Sequence, residues 1–106
     1  MEHQELKGIK WDHDKERWDL LPLSLVLLIV KCYTFGAKKY APNNWAKVED
    51  GYNRYKAALL RHLVAFESGE VIDSESGLPH LAHMAWNAIA VMYFGLLEHK
   101  LVNEIK

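Results

Sequence analysis

The stretch LPHLAHMAWNAIAV, residues 78–91, decides the fold class of this chain. Its apolar residues surround three polar side chains, His80, His83 and Asn87, which stand at positions i, i+3 and i+7 and therefore share one face of a helix. Pro79 suits the first turn of that helix, where a missing backbone N–H costs least. We therefore predict a helix that runs from about the start of this stretch to the end of the chain and carries a polar stripe.

Two further helices are predicted before this one. Asp19 can cap the first, with Pro22 in its first turn and apolar residues spaced by three and four up to about Tyr40. The second is expected to begin at residues 50–52 and to stop at Ser68-Gly69. Strict alternation of apolar and polar residues, the mark of a half-buried strand, is absent over any useful length. The sequence thus predicts an all-α fold of three principal helices in a small bundle.

The first part of the chain is predicted to be an arm rather than a helix. Residues 1–18 carry alternating charges without periodicity, and Ile9, Trp11 and Trp18 are expected to dock this arm onto a helical body formed by residues 19–106. A length of 106 residues suits one domain. Half of the residues are hydrophobic, including four tryptophans, and this surplus predicts that homo-oligomerisation completes the core.

Composition limits the cellular compartments and the binding partners that the chain is expected to have. The formal net charge is −1, which argues against broad affinity for duplex nucleic acid or an anionic membrane. Cys32 is the single cysteine, so no intramolecular disulfide is predicted. The apolar run of residues 20–30 is shorter than the roughly 18–20 residues that span a bilayer. Because the N-terminus is polar and does not resemble a secretory signal, we expect a cytoplasmic protein.

Acidic side chains gather at the end of the second predicted helix and in the following loop. Glu67, Glu70 and Asp73 offer the oxygen ligands that Mg²⁺ or Mn²⁺ prefers. One interpretation is a metal site in which these three are catalytic and His80 and His83 add further ligands. The alternative is a solvated acidic loop before a helix, which the helix dipole favours.

Cationic, aromatic and amide side chains gather around the first turn and on the second helix. Lys and Arg pair with phosphates, and Tyr and Trp can stack on a base. These candidates for nucleotide binding are Lys38, Lys39, Tyr40, Asn44, Trp45, Arg54, Arg61 and His62, to which the stripe adds His80, His83 and Asn87. Two alternatives stay open: the charges are ordinary solvated groups, and the stripe is satisfied by hydrogen bonds to the loop or to the second helix.

The order of motifs along the chain resembles a known family. The motifs are RWDLLP at 17–22, FGAKKY at 35–40, NNW at 43–45, RHL at 61–63, SGE at 68–70 and ESGLPHLAH at 75–83, with Asn87 after them. Together they resemble the phage-borne family named for dATP/dGTP diphosphohydrolase, N-terminal domain. The resemblance implies a phage protein that binds purine deoxynucleotides and hydrolyses them to the monophosphate and pyrophosphate with a divalent metal.

The wider all-α NTP pyrophosphohydrolases, which the chain resembles distantly, place E-x-x-E and E-x-x-D pairs on two helices. Here Glu67-x-x-Glu70 has the first spacing but is interrupted by Ser68-Gly69, and His80-x-x-His83 replaces the expected acids. Imidazole suits Mn²⁺, Fe²⁺ or Zn²⁺ better than Mg²⁺. Two hypotheses follow: a metal-dependent purine nucleoside triphosphate diphosphohydrolase, or a metal-free sponge that sequesters a host immune nucleotide signal, cyclic or linear.

Overall fold

A computed structural model describes residues 7–105, and its fold is all-α with three helices, as the sequence predicts. In chain order the elements are a 3-10 turn at Trp18–Leu20, α1 at Leu23–Lys39, a second 3-10 turn at Asn44–Lys47, α2 at Gly51–Glu67 and α3 at His80–Glu98. Extended pairing within the described range is limited to one antiparallel bridge between Ile72 and Pro79. None of the three helices combines the length and apolar composition needed to cross a bilayer.

The two prolines that were predicted in a first helical turn lie instead immediately before a helix. Pro22 and Pro79 are the N-cap residues of α1 and α3, with ψ values of 94° and 139°. The prediction that Asp19 caps α1 was wrong. Its carboxylate accepts two hydrogen bonds from the guanidinium of Arg17, at 2.8 and 2.7 Å. This bidentate pair holds Asp19 in the 3-10 turn, away from the start of the helix.

The helix α2 ends where the sequence predicts, at Ser68-Gly69. Gly69 adopts a left-handed conformation with φ of 105°, which glycine tolerates without steric cost. Its N–H donates to the carbonyl of Phe66, and the N–H of Glu70 donates to the carbonyl of Ala65, each at 3.0 Å. These two bonds satisfy the last carbonyls of the helix and turn the chain into the loop.

The third helix ends earlier than predicted. It stops at Glu98, and residues 99–105 are not helical. Lys100 adopts φ of 58°, and the N–H of Leu101 donates to the carbonyl of Leu96 at 3.0 Å. The same left-handed turn that ends α2 therefore ends α3 without a glycine, which is why the sequence gives little sign of it.

Small and aromatic side chains connect the three helices. Cys32, Ala82 and Ala90 are the buried apolar residues of the described chain, so α3 approaches its neighbours closely at alanine positions. Aromatic rings make the other contacts between the helices. The ring of Trp86 in α3 packs edge to face on Tyr33 of α1 and on Tyr55 of α2, with ring centroids 5.6 and 5.3 Å apart. This aromatic layer forms one wall of the cleft described below.

The predicted docking of the arm is not seen in the single chain. Ile9, Trp11 and Trp18 are 81%, 77% and 75% exposed, so within residues 7–18 these side chains do not pack against the three helices. Residues 1–6 of the predicted arm lie outside the described residues. The boundary between arm and helical domain at residues 18 and 19 stays a prediction.

Candidate functional site

A cleft of about 980 Å³ opens between the C-terminal half of α1, the second 3-10 turn, α2, α3 and the loop before α3. This volume lies at the upper end of the roughly 300–1,000 Å³ typical of small-molecule sites. The predicted site residues that line the cleft are Lys39, Tyr40, Asn44, Trp45, Arg54, Arg61, His62, Asp73, His83 and Asn87. The fold thus brings together ten of the fourteen predicted site residues in one cleft.

Four predicted site residues lie outside the cleft lining: Lys38, Glu67, Glu70 and His80. Lys38 is exposed near the end of α1, and Glu67 is exposed in the last residue of α2. His80 is buried behind the cleft wall, with Glu70 beside it. These residues can influence the cleft only through neighbours.

The polar stripe of α3 is buried, and its hydrogen bonds go to protein groups. His80, His83 and Asn87 are 4%, 7% and 1% exposed. His83 Nε2 lies 2.6 Å from Ser76 Oγ, and Asn87 Nδ2 donates to the carbonyl of His83 at 2.7 Å. Asn87 Oδ1 has no partner within residues 7–105. The stripe is therefore satisfied largely by the loop and by its own helix, while His83 and Asn87 also border the cleft.

The loop before α3 is shaped around Asp73. Its Oδ2 accepts hydrogen bonds from the backbone N–H of Ser76 at 2.9 Å and from the Ser76 hydroxyl at 2.8 Å. Gly77, with φ of 73°, lets the chain reverse here, and its N–H donates to the Asp73 carbonyl at 2.8 Å. Partial burial opposes ionisation of Asp73, but the bonds from Ser76 outweigh it and lower its pKa. Asp73 is thus an anionic side chain already engaged by its own loop.

Hydrogen bonding assigns the tautomer of His83. The indole N–H of Trp86, which can only donate, lies 3.4 Å from His83 Nδ1, so Nδ1 accepts. In the neutral ring the proton then sits on Nε2 and points at Ser76 Oγ, whose own proton goes to Asp73. Ser76 is therefore not activated as a nucleophile in this arrangement. Burial lowers the pKa of His83 despite the nearby Asp73 carboxylate, which keeps the ring neutral at pH 7.

A pair of histidines, His62 and His80, lies beside His83. His62 Nδ1 and His80 Nδ1 are 2.7 Å apart, so one donates and the other accepts. His80 Nε2 lies 3.2 Å from Glu70 Oε1 but makes no well-oriented hydrogen bond in the described chain. The ring of His62 stacks on His83 at 4.7 Å. Burial, and then repulsion from His83 and His80, lowers the pKa of His62 although Asp73 opposes the shift.

The residues predicted to hold a metal are not assembled as one ligand set. Asp73 and His83 share Ser76, Glu70 lies beside His80, and Glu67 is exposed and outside the cleft lining. Among residues 7–105 no group of three or more histidine, cysteine, aspartate or glutamate side chains is placed to hold a metal ion. The donor chemistry of the described site therefore does not fit a preformed metal cage.

Several residues of the site were missed by sequence reasoning. Ser76 joins Asp73 to His83, and Glu75 pairs with Lys39 at 2.9 Å on the rim of the cleft. The other missed lining residues include Tyr33, Asn43, Asn53, Tyr55 and Trp86. A usable signal existed for Trp86, which follows His83 by three positions on α3. Ser76 gave no such signal, since its role depends on how the loop folds back onto the helix.

Removing the Ser76 hydroxyl is expected to destabilise the chain. In Ser76→Ala, Asp73 loses one donor and the buried Nε2–H of His83 loses its acceptor, at a cost of about 1–3 kcal/mol. Urea unfolding at pH 7 measures the loss. Ser68→Ala is the matched control. The Ser68 hydroxyl, at the end of α2, donates to the backbone carbonyl of Ala65 in an exposed position. We expect that control to change stability by less than about 0.5 kcal/mol, and equal losses in the two variants would contradict the assigned network.

The fold and the site together define a small all-α domain with an open cleft lined by aromatic, cationic and amide side chains. The chain belongs to the family described as dATP/dGTP diphosphohydrolase, N-terminal, whose family model matches residues 5–104. It is also similar to a protein of Salmonella phage PMBT28 named dATP/dGTP diphosphohydrolase, with 30% identity over 80 residues. That alignment covers 76% of this chain but 27% of the phage protein, so the chain spans only part of its relative's length. No solved structure matches the chain.

Proposed function

We propose that the cleft binds a purine deoxynucleoside triphosphate and that the chain hydrolyses it to the monophosphate and pyrophosphate with a divalent metal. The observation that carries the proposal is the meeting of Lys39 and Arg61 with Trp45 in one cleft. Cations suit a phosphate chain, and an indole or phenol ring suits a base. Family membership and the phage relative's name support this choice of ligand.

Recognition is proposed to combine cations of α2 with aromatic rings that line the same cleft. Arg54 and Arg61 stand seven residues apart on α2 and supply forked donors for phosphate oxygens. Tyr40 and Trp45, which line the same cleft, supply aromatic rings for a base. The buried Oδ1 of Asn87, which has no partner in the described chain, favours a ligand that brings an N–H donor, as purine amino groups do.

The metal is proposed to enter with the nucleotide rather than to occupy a site beforehand. Mg²⁺ commonly binds through one or two carboxylates together with substrate phosphates. The carboxylates that border the cleft are Asp73 and Glu75, which are engaged by Ser76 and Lys39. A divalent ion on the triphosphate would neutralise charge and polarise the phosphorus that is attacked.

Capture without cleavage is the second candidate function, and the same contacts favour it. Asp73 is hydrogen-bonded to Ser76, and Glu75 is paired with Lys39. In the stripe, His80 pairs with His62, and His83 pairs with Ser76. Because Asp73, Glu75 and His83 are each engaged by other protein groups, the cleft suits binding better than proton transfer. Such a protein would act as a sponge for a nucleotide signal, cyclic or linear, made by a bacterial host.

One experiment separates the two functions. The protein is incubated with a panel of deoxynucleotides, ribonucleotides and cyclic nucleotides, with Mg²⁺, with Mn²⁺ or with a chelator, and binding is read by thermal shift. The ligand recovered after denaturation is then analysed by chromatography. Metal-dependent release of pyrophosphate from a purine triphosphate supports the enzyme; intact ligand bound tightly in chelator supports the sponge. If no nucleotide raises Tm and none is cleaved, both are wrong.

Arg61→Ala is expected to weaken binding of the best ligand in that panel by roughly 10- to 100-fold, because a charged hydrogen bond to phosphate contributes about 1.5–3 kcal/mol. Lys56→Ala is the matched control, since Lys56 lies on the same helix but outside the cleft lining. Titration calorimetry measures both variants. An equal loss in the two would mean that net charge, not the cleft, governs affinity.

A further inference from the structure

The single chain exposes far more surface than a compact protein of its size. Its accessible area is 8763 Å² for 12.3 kDa, whereas a folded monomer of that mass exposes about 6,100 Å². The radius of gyration is 19.0 Å, against about 13 Å for a compact chain of this length. The excess of roughly 2,700 Å² exceeds the ~800 Å² that each partner buries in a standard interface.

The exposed surface of the chain includes an apolar stripe on the N-terminal half of α1. Leu23, Leu27 and Val30, at positions i, i+4 and i+7, form a stripe that is 70%, 52% and 49% exposed. Leu25, on the opposite side of the helix, is 59% exposed. A helix that is apolar all round belongs in a core. Within residues 7–105, however, Val26, Leu28 and Ile29 of this half of α1 are only half-buried, and none of its residues is fully buried.

The segment before α1 continues the same surface. Trp18 and Leu20 in the first 3-10 turn are 75% and 70% exposed, and Leu21 is 43% exposed. We call residues 18–30 with these exposed side chains the α1 surface. In contrast, the C-terminal half of α1 is held by the body of the domain, with Cys32 only 2% exposed. One helix thus has a packed half and an uncovered half.

We propose that a second copy of this chain covers the α1 surface. Residues 20–30 contain no charged side chain, and Asp19, the charged residue of the α1 surface, is already paired with Arg17. The surface therefore offers little for a charged partner to pair with. An uncharged apolar stripe can instead pack on its own counterpart in a two-fold symmetric dimer, because such an interface uses the same patch on both subunits. The excess area of the chain, roughly 2,700 Å², is larger than the ~800 Å² that each partner of a standard interface buries.

The dimer also bears on the cleft, although the proposal does not depend on nucleotide binding. Val30 belongs both to the exposed stripe of the α1 surface and to the cleft lining. A copy packed on that stripe therefore borders the cleft at its α1 end and narrows its opening. Trp18, the last residue of the predicted arm, is part of this surface and would be covered by the same contact.

Sedimentation velocity of the full chain between roughly 5 and 200 µM tests the proposal, with no nucleotide present. We expect the wild type to be a dimer or a larger assembly and Leu23→Glu/Leu27→Glu to be a monomer with unchanged helical circular dichroism. Leu101→Glu is the matched control, because Leu101 is exposed to the same 70% as Leu23 but lies beyond α3. That control is expected to assemble as the wild type does.

Leu27→Ala keeps the proposal testable if the double variant fails to fold, since alanine is compatible with a helix. It is expected to raise the dissociation constant of the assembly at least tenfold. A wild type that stays monomeric up to 200 µM overturns the proposal, as does dissociation by Leu101→Glu but not by Leu27→Ala. Binding of a monomeric wild type to phosphatidylcholine vesicles would assign the surface to lipid instead and would equally overturn it.

Discussion

Gly51→Ala is expected to lower the stability of the chain by about 1–3 kcal/mol, the usual cost of overpacking a core. Gly51 is buried at the start of α2, and a Cβ placed there would lie 2.3 Å from two ring carbons of Phe94. That ring cannot easily move, because it packs against Trp45, Tyr55 and Tyr93. Steric overlap therefore outweighs the roughly 1 kcal/mol that alanine gains over glycine in a helix.

Urea unfolding at pH 7 gives the size of this loss, and Gly36→Ala provides the control. Gly36 is also helical, in α1, but a Cβ there meets nothing within 4 Å. We expect that control to be neutral or to gain up to about 1 kcal/mol. The double variant Gly51→Ala/Phe94→Ala should lose less free energy of unfolding than the two single variants together, because removing the Phe94 ring removes the clash. A gain in Gly51→Ala would mean that the ring of Phe94 is not held in place.

The ends of the helices show what local chemistry can and cannot reveal. The stop at Ser68-Gly69 was confirmed because a glycine in the left-handed conformation is a signal that stands in the sequence. The stop after Glu98 was missed because Lys100 adopts the same conformation without being a glycine. Asp19 was misplaced for another reason: its pairing with Arg17 competes with capping, and sequence patterns do not decide such a competition.

In the cleft, too, some features could be predicted from the sequence and others could not. Residue types suited to phosphate and base, such as Arg61 and Trp45, could be predicted because their chemistry is a property of each side chain. The partners of His83 could not, since Ser76 reaches it only through a loop reversal that depends on long-range packing. Proximity in sequence suggested a metal cage that includes Glu67, yet the turn at the end of α2 leaves that side chain outside the cleft.

Acidification from pH 7 to pH 5 is expected to destabilise the chain steeply, through His62 and His83. Both have pKa values below the ordinary 6.5, with burial as the main cause. The unfolded chain therefore binds protons first, so the stability these two rings contribute is full above pH 6.5 and is lost as the pH falls toward their folded values. Each ring contributes a slope of at most about 1.4 kcal/mol per pH unit, reduced by partial exposure to solvent.

Urea unfolding at half-unit steps between pH 5 and 7.5 measures this slope. His62→Gln removes one of the two titrations while its amide can still bond to His80, so we expect its slope to be about half that of the wild type. His99→Gln is the control, because His99 is exposed just after α3 and should leave the slope unchanged. The carboxylate of Asp73 does not contribute in this range, since its pKa lies below 3.8. Stability that is flat from pH 7 to 5, or an unchanged slope in His62→Gln, would show that these histidines are not held neutral by the fold.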